Sequence, residues 1–114
     1  MVQFIRKHSK EGEIDMKHLI IVKFKENVWD RETEASRAIL ADIREIFDRT
    51  KQIEGVHTVN IYENVTPRPN RHDLMIEMEM DQEALPVYHA SATHQEWKAK
   101  YGEYIQTKTI FDYE

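Results

Sequence analysis

The chain has 114 residues and a mass of 13.7 kDa, enough for one domain that buries roughly two thirds of the surface its unfolded form exposes, with no room for a second. With 21 acidic and 16 basic residues the net charge is -5, so phosphate backbones repel it and nucleic acid is not an expected partner. No cysteine is present, which excludes disulfides, thiolate nucleophiles and Cys-type zinc sites, and the longest apolar run, Leu19 to Val22, falls far short of the roughly 20 residues of a membrane span; a soluble, cytoplasmic protein without membrane contact is expected.

Residues 1–15 surround a brief Val2-Gln3-Phe4-Ile5 with charge, and are expected to form a loosely held extension or an arm packed on a partner subunit. Met16 opens the first convincing element and is a possible alternative start. From Lys17 to Phe24, His18, Ile20, Val22 and Phe24 share one face of an extended strand, and Leu19 and Ile21 lie on the other; both faces are mainly apolar. A helix is predicted after Asp30, a residue suited to an N-cap, with Ala35, Ile39, Ile43, Ile46 and Phe47 on its apolar face and a stop at Gly55. His57, Val59 and Ile61 alternate with Thr58, Asn60 and Tyr62 in a second strand, which the prolines of Thr66 to Asn70 end.

The third strand carries the clearest period of two, with Leu74, Ile76, Met78 and Met80 on one face and Met75, Glu77 and Glu79 on the other. Asp81 is the expected cap of a second helical region, interrupted near Ala90 to Ala92 and resumed from Trp97 to Tyr101 before Gly102. A fourth strand covers Ile105 to Tyr113. The order strand, helix, strand, strand, helix, strand predicts an α+β, ferredoxin-like βαββαβ subunit: an antiparallel four-stranded sheet with helices on one face. The apolar second sheet face then needs cover, and two sheets packed in a two-fold homodimer would supply it.

The chemistry concentrates at Tyr88 and His94, six residues apart in the broken helical region. An imidazole with an ordinary pKa near 6.5 can act as general base at a carbon next to a carbonyl. A phenol that stays protonated can donate to the developing oxyanion. A purely structural reading stands beside this one, with Tyr88 packing helix on sheet and His94 bonding the broken helix. His18 is likewise either a pocket group or a satisfied core histidine. Six histidines invite a metal site, yet no spacing supports one: His89 and His94 are five apart, a separation that sends two helical side chains in different directions. No metal and no cofactor are expected, haem included. Met75, Met78 and Met80 read as core and interface residues, and Arg68 and Arg71 as solvated turn residues or a cavity-mouth anion contact.

Met16 to Lys25 resembles the first strand of the dimeric α+β barrel family called Dabb, the stress-responsive A/B barrel. Glu54-Gly55-Val56, Glu63 to Thr66, Tyr88 with His94, and Ile110 to Tyr113 agree in order and spacing, so the resemblance covers residues 16–114. It implies a ferredoxin-like subunit, a homodimer whose sheets form a barrel, and an apolar cavity between sheet and helices that takes a small organic ligand. His18, Ile20, Leu74, Ile76 and Trp97 are the candidates to line it, although Trp97, Tyr101, Tyr104 and Phe111 also read as core and dimer contacts. Most members have no assigned reaction. One, a plant polyketide cyclase, performs an intramolecular aldol condensation with a Tyr and a His that match Tyr88 and His94, and its first-strand pocket His matches His18. Leu74 replaces a second pocket His, and Ser91-Ala92 replaces the usual His-Pro, which counts against that enzyme's substrate. The expected function is thus small-molecule binding without an assigned reaction, and the alternative is an enzyme of cyclase, aldol or isomerase type with Tyr88 as acid and His94 as base.

Overall fold

The computed structural model of the protein describes residues 16–114, and the expectations for residues 1–15 lie outside the described residues. Four strands, β1 (Met16–Phe24), β2 (Val56–Glu63), β3 (Leu74–Met80) and β4 (Ile105–Tyr113), form one sheet in the order β2-β3-β1-β4 with every neighbouring pair antiparallel. The connections are α1 (Glu34–Arg49) between β1 and β2, and α2 (Ala84–His89) followed by α3 (Ala92–Tyr101) between β3 and β4. This is the ferredoxin-like α+β subunit that the order of elements predicts.

Alternation along β1 and β3 decides which side faces the helices. Met16, His18, Ile20, Val22 and Phe24 are buried, as are Leu74, Ile76, Met78 and Met80, with Ile20 opposite Ile76 at the middle of the sheet. Against them α1 packs Leu40, Ile43, Ile46 and Phe47, and α3 packs Trp97 and Tyr101. The opposite sheet face carries Leu19, Ile21, Tyr62, Met75, Phe111 and Tyr113. Of these, Tyr62, Phe111 and Tyr113 are 49%, 58% and 39% exposed, so the second apolar face of β1 is not buried within one subunit.

Several local details depart from the sequence reading. The cap of α1 is Thr33, whose hydroxyl accepts from Ser36 N, while Asp30 serves the preceding turn by accepting from Glu32 N and Thr33. Ser36 rather than Ala35 occupies the buried position in the first turn, its hydroxyl accepting from Asp30 N. The helix ends at Arg49 in a single tight turn over Thr50–Gln52, ahead of Gly55. Gly55, at φ +93°, instead steers the chain into β2, and an added Cβ would lie 3.0 Å from Ala84 Cβ. Asp81 does not cap α2; its carboxylate is engaged by His57 Nε2 at 2.9 Å.

Candidate functional site

The site arises where the second helical region breaks. Pro86 sits in the first turn of α2, where its missing N–H costs nothing, and Ala90 N closes the last turn on Pro86 O. Ser91 then leaves helical geometry and caps α3: its hydroxyl donates to Tyr88 O at 2.6 Å and accepts from His94 N at 3.2 Å. One serine therefore fixes the end of the helix bearing Tyr88 against the start of the helix bearing His94.

Four aromatic rings meet at this junction. Tyr88 and His94 are edge-on with centroids 4.8 Å apart, and His18 reaches in from β1, 6.0 Å from Tyr88. His89 completes the group at 5.5 Å from Tyr88, 5.3 Å from His94 and 5.8 Å from His18. Helical spacing separates His89 from His94 in the sequence reading. The break at Ala90 and Ser91 reorients the chain between them, so the angular rule does not apply and the rings come together.

The electrostatics follow from burial. Tyr88 is 1% exposed and its hydroxyl has no hydrogen-bond partner among the described residues, and burial holds the phenol well above its ordinary range, so that it stays protonated. His94 Nδ1 is also buried and without a partner among the described residues. Burial foremost, then the charges of His89, Lys98, Lys108 and His18, lower the His94 pKa to about 4. Burial is also the leading cause of a lowered His89. His18 is buried but partnered: its Nδ1 bonds Asp112 Oδ1 across the β1–β4 pair. Asp112 was missed by the sequence reading, and the register placing it directly opposite His18 is the only signal that finds it.

The other lining candidates lie deeper. Ile20 and Ile76 face each other in mid-sheet within the core. Leu74 pairs with Val22, four residues along β1 from His18, or about 13 Å of strand. Trp97 packs on Phe47 at 5.1 Å and Tyr101 at 6.0 Å, on the α1 side. The structure thus gathers Tyr88, His94 and His18, and distributes Ile20, Leu74, Ile76 and Trp97 through the core. A cavity of about 640 Å³ lies elsewhere, between the loop at Val28 to Asp30 and Pro67, and contains none of these residues. Among the described residues no group of three or more His, Asp or Glu side chains has the arrangement of a metal site, and no helix is long and apolar enough to cross a membrane.

Residues 16–114 match the family described as the Stress responsive A/B Barrel Domain, Dabb. Solved structures similar to the chain include a dimeric, ferredoxin-like protein of unknown function from Bacteroides fragilis, 16% identical over 87% of this chain and 94% of that one, with a TM-score of 0.71. A Dabb family protein with a ferredoxin-like fold from Mesorhizobium loti is 17% identical over 87% and 94%, with a TM-score of 0.67. The hydroxynitrile lyase of Passiflora edulis is 10% identical over 86% and 90%, with a TM-score of 0.64. At these identities the likeness is one of fold. No curated protein matches the chain.

Proposed function

The chain belongs to the stress-responsive A/B barrel (Dabb) family, and from that premise we propose that it is a homodimer that binds a small, largely apolar organic molecule beside the sheet and helices, holding one of its oxygens with Tyr88 and His94. The observation that carries the reading is that two buried polar atoms without a partner among the described residues, Tyr88 Oη and His94 Nδ1, lie on rings 4.8 Å apart. A buried polar group without a partner costs about 1–3 kcal/mol, which a ligand oxygen or hydroxyl recovers on binding. The dimer is supported by the exposed aromatic face of the sheet and by dimeric neighbours from Bacteroides fragilis and Thermobifida fusca. A cytoplasmic location, which the cysteine-free composition permits, belongs to the same proposal.

The test is thermal unfolding of wild type, Tyr88→Phe and His94→Ala against β-polyketide analogues, aromatic acids and their neutral derivatives. A ligand present at a hundred times its dissociation constant adds about 2.7 kcal/mol, a shift of several degrees in a domain of this size. Wild type should gain that shift and the two variants should lose most of it. Equal responses in all three proteins would remove Tyr88 and His94 from the binding site.

A second reading, proton transfer of the aldol, cyclase or isomerase type, is favoured by the convergence of a protonated phenol and a neutral imidazole. With its pKa at about 4, His94 is free to accept a proton near neutrality but is a weak base, so the reading requires an unusually acidic C–H such as that between two carbonyls. Deuterium exchange at that carbon, followed by NMR, should proceed with wild type and fail with His94→Ala.

A further inference from the structure

Beside the buried ring atoms, His89 and the inner face of β4 are exposed, and the charge and shape of that surface specify more than an apolar ligand. On the helix-facing side of β4 the residues Lys108, Ile110 and Asp112 alternate, opposite Val22, Ile20 and His18 of β1. The β1 residues of that face are buried, whereas Ile110 is 45% exposed, so the helices cover β1 and leave the inner face of β4 as the floor of a trough. The wall of the trough is the α2–α3 junction with Tyr88, His89 and His94. Asp112 at one end is committed to His18. At the other end stands Lys108, and Lys98 lies one helical turn beyond His94 on α3. Neither lysine has an ion-pair or hydrogen-bond partner among the described residues, although Lys17, Lys51 and Lys100 are all paired. The charges of Lys98 and Lys108 both bear on His89 and His94; the charge of Asp112 opposes theirs at His89, and Asp112 is itself bonded to His18.

We propose that the trough takes an organic carboxylate, with Lys98 and Lys108 holding the carboxylate at the rim, Ile110 under the apolar body, and Tyr88 and His94 on a carbonyl or hydroxyl oxygen further along the same molecule. The proposal rests on the binding reading above and narrows its ligand to keto and hydroxy acids. Both halves of such a ligand are called for: two unpaired cations attract an anion, and two unpartnered buried atoms require a neutral oxygen deeper in.

Calorimetric titration of the full-length protein with salicylate, 4-oxo-4-phenylbutanoate and 4-oxodecanoate, each beside its methyl ester, tests it. Wild type should bind at least one acid about tenfold more tightly than its ester, and added salt should erode that preference. Lys98→Gln and Lys108→Gln should each lower the acid-to-ester ratio about threefold, and the double variant should bring it near unity. Tyr88→Phe should weaken acid and ester alike. Acid and ester bound equally by wild type, with both weakened by Tyr88→Phe, would overturn the carboxylate assignment and leave the binding reading standing. Failure of every acid and every ester to bind would overturn both.

Discussion

His94 is the residue whose environment makes the sharpest demand. Its pKa is near 6.5 in an unfolded chain and about 4 in the folded one, because burial and the neighbouring charges of His89, Lys98, Lys108 and His18 all oppose the imidazolium. Between those two values the unfolded chain binds more protons than the folded one, so stability present above pH 6.5 is lost as pH falls toward 4. The lowered His89 acts in the same direction. Unfolding midpoints measured from pH 7 to pH 4 should therefore decline, and His94→Gln, which cannot titrate, should decline less over this window. An identical decline in both proteins would mean that His94 is solvated in the native state. Tyr88 makes the complementary demand, since its hydroxyl is buried but unbonded within the described residues.

At the scale of elements, the junction between α2 and α3 is the part that brings the Tyr88 and His94 rings together. Ser91 is its keystone, bonding Tyr88 O on one side and His94 N on the other. Ser91→Ala removes the cap and should cost about 1 kcal/mol in urea unfolding, while Ser91→Thr, which retains a capping hydroxyl, should recover most of that loss. Because the same hydroxyl fixes the spacing of the two rings, the alanine variant should also show a smaller ligand-induced shift than the threonine variant. Away from this junction, Glu63 at the end of β2 accepts from Arg37 at 2.6 Å and from Arg31 at 2.9 Å, and these bonds hold its carboxyl below the usual range. Asp42 of α1 is similarly held low by Tyr101 of α3, chiefly through the phenol's hydrogen bond, so the two long helices are joined by a polar contact as well as by Phe47 and Trp97.

For the whole molecule the exposed sheet face is the surface on which the proposed dimer rests. Phe111 pairs with Leu19 and neighbours Tyr113, with Tyr62, Met75 and Ile21 extending the patch across the sheet. An apolar surface of this kind on one face of an otherwise charged chain favours burial against a second copy. Phe111→Glu places a charge in its middle and should convert the dimer to a monomer in sedimentation equilibrium. A mass that stays at two subunits would locate the interface elsewhere. The Tyr88 and His94 cluster lies on the opposite, helix-covered face of the sheet, so the proposed dimer contact and the proposed ligand site would use separate surfaces of the same four strands.

Strand and helix periods are local properties, and for that reason the order of elements, the inward face of β1 and β3, and the position of the helical break near Ala90 to Ala92 were legible in the residues themselves. The sequence also singled out Tyr88 and His94, whose rings the fold brings within 4.8 Å of each other. Caps were read less well, because Asp30 and Asp81 have capping side chains but the first is taken by its own local turn, through Glu32 N, and the second by His57 from another element. The remaining features depend on how distant segments come into register. His89 joined the cluster only because the chain turns at Ser91; Asp112 met His18 only through the β1–β4 pairing 94 residues away. The exposed floor at Ile110 and the two unpaired lysines beside it likewise follow from where the helices stop covering the sheet. A sequence carries the faces of its elements by periodicity, whereas the distance between two elements, and with it every shared charge and hydrogen bond, is set by packing alone.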